Sequence, residues 1–237
     1  MTKIAVVLPT YNEKENIQKI IPQILSQNKD ISIIAVDDNS PDGTGKILDS
    51  LGKKYNGRVK TLHRNKRGVG SAVRDGLKEA LRLEADYVVQ MDADFSHHPK
   101  YLPSLISGVR NGIDVTIGSR YAKGGDITSR STLRNFISKA ANFYNRSLLG
   151  VWEVKDSAGG FKCSKRAVLE AINLDTFLSD GYSIGIEQLY RIHKKGFKMK
   201  EVPIIFNDRN AGNSKMDLRE ILKYIITVLR IKFSGFE

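Results

Sequence analysis

The chain has 237 residues, of which 41% are hydrophobic and 27% charged, enough to bury a full core as one domain or as one domain with an appendage. A single cysteine, Cys163, excludes an intramolecular disulfide and suits a reducing compartment; no signal-peptide pattern follows Lys3. No stretch reaches the ~18 uncharged apolar residues of a spanning helix, which predicts a soluble or peripheral protein. The formal net charge of +12 favours anionic partners, and with no zinc-finger spacing, basic zipper or RNA-recognition signature, a membrane surface or a phosphate ligand ranks above nucleic acid.

In chain order, the first 120 residues alternate strand and helix. Residues 4–8 read as a strand, and 13–27 as a helix with Ile17, Ile20, Ile21, Ile24 and Leu25 on one stripe. Asn12 and Glu15 form an expected capping pair, and Pro22 an expected kink. Strands follow at 31–36, 59–62, 87–91 and 115–117, with helices at 44–55, 69–83 and 101–109 between them. Strands joined by single helices imply a mainly parallel sheet of an α/β fold, with ligands at the carboxyl ends of its strands. Beyond Tyr121 the pattern changes. A loop is expected at 123–126, an amphipathic helix at 131–149, helices at 165–172 and 183–194, and an extended segment at 199–206. The last helix, 217–233, carries Leu218, Ile221, Leu222, Ile225 and Leu229 beside Arg219, Lys223, Arg230 and Lys232, as an interfacial helix does. The expected division is a catalytic domain over 1–216 and this amphipathic helix over 217–237.

The chemistry gathers at strand ends. Asp92-Ala93-Asp94 follows the apolar strand at 87–91, and period two sends both carboxylates to one side. Two like charges so close favour proton uptake unless a cation sits beside them; the plain reading is a solvated acidic loop, the chemical one Mg²⁺ or Mn²⁺ holding a pyrophosphate. Pro9-Thr10-Tyr11-Asn12-Glu13 sits at the first strand-to-helix turn, where N–H groups and a ring can receive a nucleotide or simply make a capped turn. Val36-Asp37-Asp38-Asn39-Ser40-Pro41-Asp42-Gly43-Thr44 ends the second strand, offering a carboxylate to a base or ribose, or an ordinary turn. Asn65 to Gly70 is a basic glycine-bearing turn. Arg120, in Gly118-Ser119-Arg120-Tyr121, is expected beside Asp94 in a parallel sheet, as a phosphate clamp or as a cover for the sheet edge. Arg209 to Lys215 forms a basic glycine-hinged loop able to fold over a diphosphate.

Taken together, P-T-Y-N-E, D-D-N-S-P-D-G-T, D-A-D, G-S-R-Y and R-x-x-G-x-S-K resemble the inverting nucleotide-sugar glycosyltransferases of GT-A fold. Asp94-Phe95-Ser96-His97-His98-Pro99 and the R-x-x-G-x-S-K loop make the chain most similar to the dolichol-phosphate (polyprenyl-phosphate) mannosyltransferases, from about Lys3 to Lys215. The resemblance implies a Rossmann-like GT-A fold and transfer of mannose from GDP-mannose to dolichyl or polyprenyl phosphate with Mg²⁺ or Mn²⁺. It implies that Pro9, Tyr11 and Glu13 hold the nucleotide, with Val36 and Asp38 at the base. Asp92, Ala93 and Asp94 meet the diphosphate and ribose, with Asp94 the principal metal ligand and Asp92 and Ser96 beside it. Arg120 and Arg209 face phosphates, Lys215 closes on the donor, Arg134 reaches the acceptor phosphate, and Glu187 stands where related transferases carry a catalytic carboxylate. Relatives continue into membrane-spanning helices, so this chain is expected as a peripheral protein on the cytoplasmic face of a membrane, held by its own last helix or by a membrane-anchoring subunit.

The acceptor chemistry agrees with that set. A phosphate monoester carries about −1.5 to −2 charges at neutral pH, so its oxygen is already a nucleophile and no strong general base is needed. Glu187 is then expected to order basic residues. The competing readings are a polyprenyl-phosphate hexosyltransferase using a UDP-sugar and a non-catalytic basic module that binds membrane or nucleic acid. A dinucleotide oxidoreductase is disfavoured, because no G-x-G-x-x-G follows the first strand.

Overall fold

The computed structural model describes residues 2–128, 132–207 and 218–234. Its strands are β1 (Ile4–Thr10), β2 (Ile31–Asp37), β3 (Val59–His63), β4 (Tyr87–Gln90), β5 (Val115–Ser119), β6 (Asp126–Thr128), β7 (Lys162–Lys165), β8 (Met199–Pro203) and β9 (Ile205–Asn207). The helices are α1 (Lys14–Gln27), α2 (Thr44–Lys54), α3 (Val69–Arg82), α4 (Leu102–Arg110), α5 (Thr132–Leu149), α6 (Arg166–Ala171), α7 (Ile184–Lys194) and α8 (Leu218–Phe233).

The central sheet runs in the order β3-β2-β1-β4-β7-β5-β8, parallel except for β7, which is antiparallel to both neighbours. The strands β1, β2 and β4 near its middle are mostly apolar because both faces there are covered. On one face Val7, Val36 and Val88 pack against α3 and α7; on the other Val6, Leu8, Ile33 and Val89 pack against α1 and α4. Gly76 of α3 allows the close approach, since a β-carbon there would collide with the Val7 side chain.

Three local expectations are corrected. Arg120 does not lie next to Asp94 across a parallel pair, because β7 is inserted between β4 and β5. The extended segment 199–206 is two strands in two sheets. β8 extends the main sheet, and β9 pairs with β6, whose first residue, Asp126, ends the stretch expected as a loop. Ile204, at the join, is buried and anchors the change of sheet.

The third correction concerns the start of α1, where Asn12 adopts φ 60° and no side chain of the helix caps its first turn. The caps come from the β2–α2 loop instead. The N–H groups of Asn12, Glu13 and Lys14 donate to Ser40 Oγ (3.0 Å), Thr44 Oγ1 (3.0 Å) and Asp42 Oδ2 (3.1 Å). Two strand-end loops are thereby fastened together at the mouth of the sheet. The helix continues through Pro22 as one element.

The closing helix α8 is tied into this body. Tyr144 Oη of α5 donates to the Ile225 carbonyl (3.3 Å), Asn145 Nδ2 donates to Tyr224 Oη (2.8 Å), and Val228 and Ile231 are buried with residues of α7. Among the described residues no helix is long and apolar enough to cross a membrane.

Candidate active site

The carboxyl ends of β1, β2 and β4 and the start of α7 enclose a cavity of about 520 Å³. Pro9, Tyr11, Glu13, Asp38, Asp92 and Ala93, all expected in the site, line it. Val36 does not. It is fully buried in the sheet, one residue short of the strand end, so it supports the cavity from below.

At the end nearest β2, the Arg67 guanidinium lies 4.4 Å from the Tyr11 ring centroid, making a flat cationic surface suited to a base or ribose. Asp38 Oδ2 accepts from the Gly68 N–H (2.9 Å), and Oδ1 lies 3.1 Å from Arg64 Nε. Burial pushes the Asp38 carboxyl above its ordinary value, against the opposing pull of that N–H and of Arg64. Gly70 brings this loop against Asp180 and Gly181, where a β-carbon would sit 2.5 Å from the Asp180 carbonyl carbon. Only glycine lets α3 and the approach to α7 close the cavity's flank.

Beyond β4 the chain turns tightly. Phe95 takes φ 64°, and Ser96 folds back so that its N–H (3.0 Å) and its hydroxyl (2.6 Å) donate to Asp94 Oδ1. Ser96 is buried, and its hydroxyl orients Asp94 in this arrangement. The Asp92 N–H donates to His97 Nδ1 (3.0 Å), which fixes that nitrogen as an acceptor. Burial lowers the His97 pKa, and the ring stacks on Phe161 at 5.0 Å as a neutral brace for the turn. The Asp92 side chain is 40% exposed, toward the cavity it lines.

No group of three or more His, Cys, Asp or Glu side chains among the described residues is placed to hold a metal by itself. Two neighbouring carboxylates are hard oxygen donors of the kind that suit a divalent cation completing its shell with substrate phosphates and water. Asp92 and Asp94 fit that donor set.

Arg120 is held firmly. Its Nε (2.8 Å) and Nη2 (2.6 Å) donate to both oxygens of Asp156, and its backbone N–H donates to the same carboxylate (2.9 Å). Asp156 is fully buried, and its own N–H, with that of Lys155, donates to Glu201 Oε1. The guanidinium also faces the Phe206 ring at 5.1 Å. Arg134 is exposed on the first turns of α5. Arg209 and Lys215 lie outside the described residues.

Glu187 is enclosed by partners. It is fully buried on α7 and accepts from the N–H groups of Leu178 (2.9 Å) and Ser179 (2.8 Å) and from Arg191 Nη2 (2.6 Å). Arg191 in turn donates to the Ile172 and Thr176 carbonyls. This buried pair secures the 172–179 segment that leads into the cavity wall.

Sequence reasoning missed Arg67, Asp156 and Lys162. The Lys162 ammonium is fully buried in β7 and donates to the Gly159 carbonyl (2.6 Å). Burial brings its pKa down to about 8, although Asp156 and Asp92 favour its charge. A lysine in a four-residue strand with no apolar alternation carries no local mark of such a place.

Residues 5–172 match the family described as Glycosyl transferase family 2. The polyprenol monophosphomannose synthase of Mycolicibacterium smegmatis is 42% identical over 89% of this chain and 80% of its own length. The dolichol-phosphate mannosyltransferase of Pyrococcus furiosus is 38% identical over 98% of this chain, which spans 65% of that relative. The undecaprenyl-phosphate mannosyltransferase of Micrococcus luteus is 35% identical over 96% of this chain and 93% of its own length. In fold, the glucosyl-3-phosphoglycerate synthase of Mycobacterium tuberculosis, solved with Mn²⁺, UDP and phosphoglyceric acid, superposes with a TM-score of 0.71 at 19% identity, over 98% of this chain and 79% of that one. Fold, strand-end carboxylates and sequence agree: the chain is a GT-A glycosyltransferase and belongs to glycosyltransferase family 2.

Proposed function

We propose that this enzyme transfers mannose from GDP-mannose to a polyprenyl or dolichyl phosphate, with inversion and with Mg²⁺ or Mn²⁺. The observation that carries the reading is one cavity with the Tyr11–Arg67 surface and Asp38 at one end and Asp92 at the other, in a chain 42% identical to a polyprenol monophosphomannose synthase.

Tyr11 and Arg67 take the face of the nucleoside, and Pro9 and Glu13 close around it. Asp38, fixed by the Gly68 N–H and by Arg64, offers carboxylate oxygens to polar edges of the base. Asp92 and Asp94 hold the divalent cation, whose contribution is to offset the charge that builds on the departing diphosphate. Arg120, whose charge is largely offset by Asp156 and whose guanidinium is held rigid by it, is a fixed hydrogen-bond donor on the β5 side, and Arg209 and Lys215 add positive charge. Arg134 draws in the acceptor phosphate, whose oxygen attacks the anomeric carbon in line with the leaving diphosphate. Glu187, sealed by Arg191, keeps the wall in place and moves no proton.

The acceptor is a lipid, and the surface accommodates one. Phe136, Ile137 and Phe143 on α5 and Leu222, Ile226, Leu229 and Phe233 on α8 are exposed on two helices that pack together. We assign this face to the cytoplasmic surface of a membrane, with α8 as an interfacial helix.

The test is a transfer assay with Mg²⁺ or Mn²⁺ in which GDP-mannose, UDP-glucose and UDP-N-acetylglucosamine are offered separately against a polyprenyl phosphate. Organic-soluble mannolipid from GDP-mannose alone, lost on chelation, is expected. Product from a UDP-sugar would overturn the donor, and an α-linked product from the α-linked donor would overturn inversion.

A further inference from the structure

One buried polar side chain in the cavity has no role in what precedes. Gln90, the last residue of β4, lines the cavity floor and is 4% exposed. Its side-chain oxygen is buried and receives no hydrogen bond from any described residue. An apolar residue there would continue the core begun by Val88, so an orphaned carboxamide oxygen is a liability to the fold.

Its position says what it faces. Side chains alternate along a strand, so Gln90 points to the same side as Asp92, one layer deeper in the cavity. Across the antiparallel pair its register partner is Lys162, whose ammonium holds the Gly159 carbonyl and abuts Gly185 at the start of α7. Ala158, Gly160 and Gly185 line the cavity around this spot with little side chain, leaving room for a group above Gln90. The site is laid out across the sheet in strand order, with Asp38 after β2, Tyr11 after β1, Asp92 after β4 and Gly160 before β7. A nucleoside diphosphate with its base on Tyr11 and its phosphates at Asp92 must therefore place its terminal group over Gln90 and Gly160.

We infer that Gln90 is a specificity-determining residue whose carboxamide takes a hydroxyl of the transferred hexose as its hydrogen-bond partner. The inference rests on the donor reading above and deepens it: the cavity floor reads the sugar, and the β2 end reads the nucleoside.

The test compares wild type with Gln90→Leu, and with Gln90→Met should the first fail to fold. Calorimetric binding of GDP, of GDP-mannose and of GDP-deoxymannoses is measured beside transfer. GDP affinity is expected to stay within twofold in the variant, while kcat/KM for GDP-mannose falls about tenfold, the usual scale for one lost hydroxyl contact. One deoxy analogue should be penalised by wild type and accepted by the variant as readily as GDP-mannose. Thermal stability should be equal or higher, because the orphaned amide is gone. Unchanged kcat/KM and unchanged discrimination among the deoxy sugars would overturn the inference, as would an equal loss of affinity for GDP. If wild type uses a UDP-sugar, the donor reading fails by itself, and the same comparison with that sugar's deoxy analogues still judges Gln90.

Discussion

A charged side chain in this protein acts according to what holds it, more than according to its place in a motif. Glu187 and Asp92 are both carboxylates of the expected site, yet one is fully enclosed by two N–H groups and Arg191 while the other is 40% exposed on the cavity. Glu187→Gln leaves the Arg191 guanidinium buried without its partner and presents an amide NH₂ to backbone donors. It should cost about 3–5 kcal/mol of stability, the scale for breaking a buried ion pair. Its kcat per folded molecule should stay within about threefold in a transfer assay corrected by urea titration; a loss beyond ~100-fold with stability intact would restore it to the chemistry. Asp156 makes the opposite case, a residue outside every motif that sets the posture of one inside. Asp156→Asn replaces a bidentate charged acceptor by one oxygen, so both stability and transfer should fall. Adding Arg120→Gln should recover part of the stability, because the uncompensated charge is removed, but none of the activity. Recovery of activity in the double variant would show that Arg120 is only a structural partner.

Elements were legible where local pattern and burial coincide. From β1 to α4, the strands β1, β2 and β4 are largely Ile, Val, Leu and Ala, the edge strand β3 keeps Val59 and Leu62, and each helix has a single apolar stripe, so their order could be read directly from the chain. Legibility fails at β7, where Lys162, Cys163 and Ser164 are all buried although none belongs to an apolar alternation. Only the Gly159 carbonyl and the gap between β4 and β5 explain a lysine there, and both are tertiary facts. The caps of α1 and the pairing of Arg67 with Tyr11 escaped for the same reason, since their partners lie on other strand-end loops. Of the site, the Asp92–Asp94 turn, Tyr11 and Asp38 were legible as residues at strand ends, whereas Asp156 carries no mark in the chain of its hold on Arg120. The amphipathic character of α8 was legible, but its junction with α5, which brings exposed apolar residues of both helices onto packed neighbours, was not. Replacing Phe136, Phe143, Leu222 and Phe233 together by Ser should abolish flotation with vesicles containing anionic lipid, since each large apolar side chain contributes roughly 1.5–3 kcal/mol when buried. These side chains are exposed, so thermal unfolding should shift little. Equal flotation of wild type and variant would remove this face from the membrane.

At the scale of the whole molecule, two buried groups report on the fold. Cys163 is fully buried in the central strand β7, and burial pushes its thiol up, so a thiol reagent should modify it only at the rate of global unfolding. Fast labelling under native conditions would mean that β7 opens locally. Lys162 makes the alkaline side of the stability profile informative. Its pKa is about 8 in the fold against an ordinary 10.5, because burial disfavours the ammonium more than Asp156 and Asp92 favour it. Between those values the unfolded chain binds the extra proton, so stability rises with pH across roughly pH 8 to 10.5. Below pH 8 the ammonium is charged in both states and its full cost, on the order of 3 kcal/mol, is carried by the fold. The net charge of +12 adds a parallel trend, since loss of surface protons relieves self-repulsion, and only a comparison can separate the two. Lys162→Met keeps the surface and removes the buried amine. In urea titrations at fixed ionic strength, wild type should gain on this variant between pH 7.5 and 9.5 by roughly 2 kcal/mol. A gap that does not move with pH would show that the buried amine keeps its ordinary pKa, held charged by the carboxylates around the diphosphate end of the cavity.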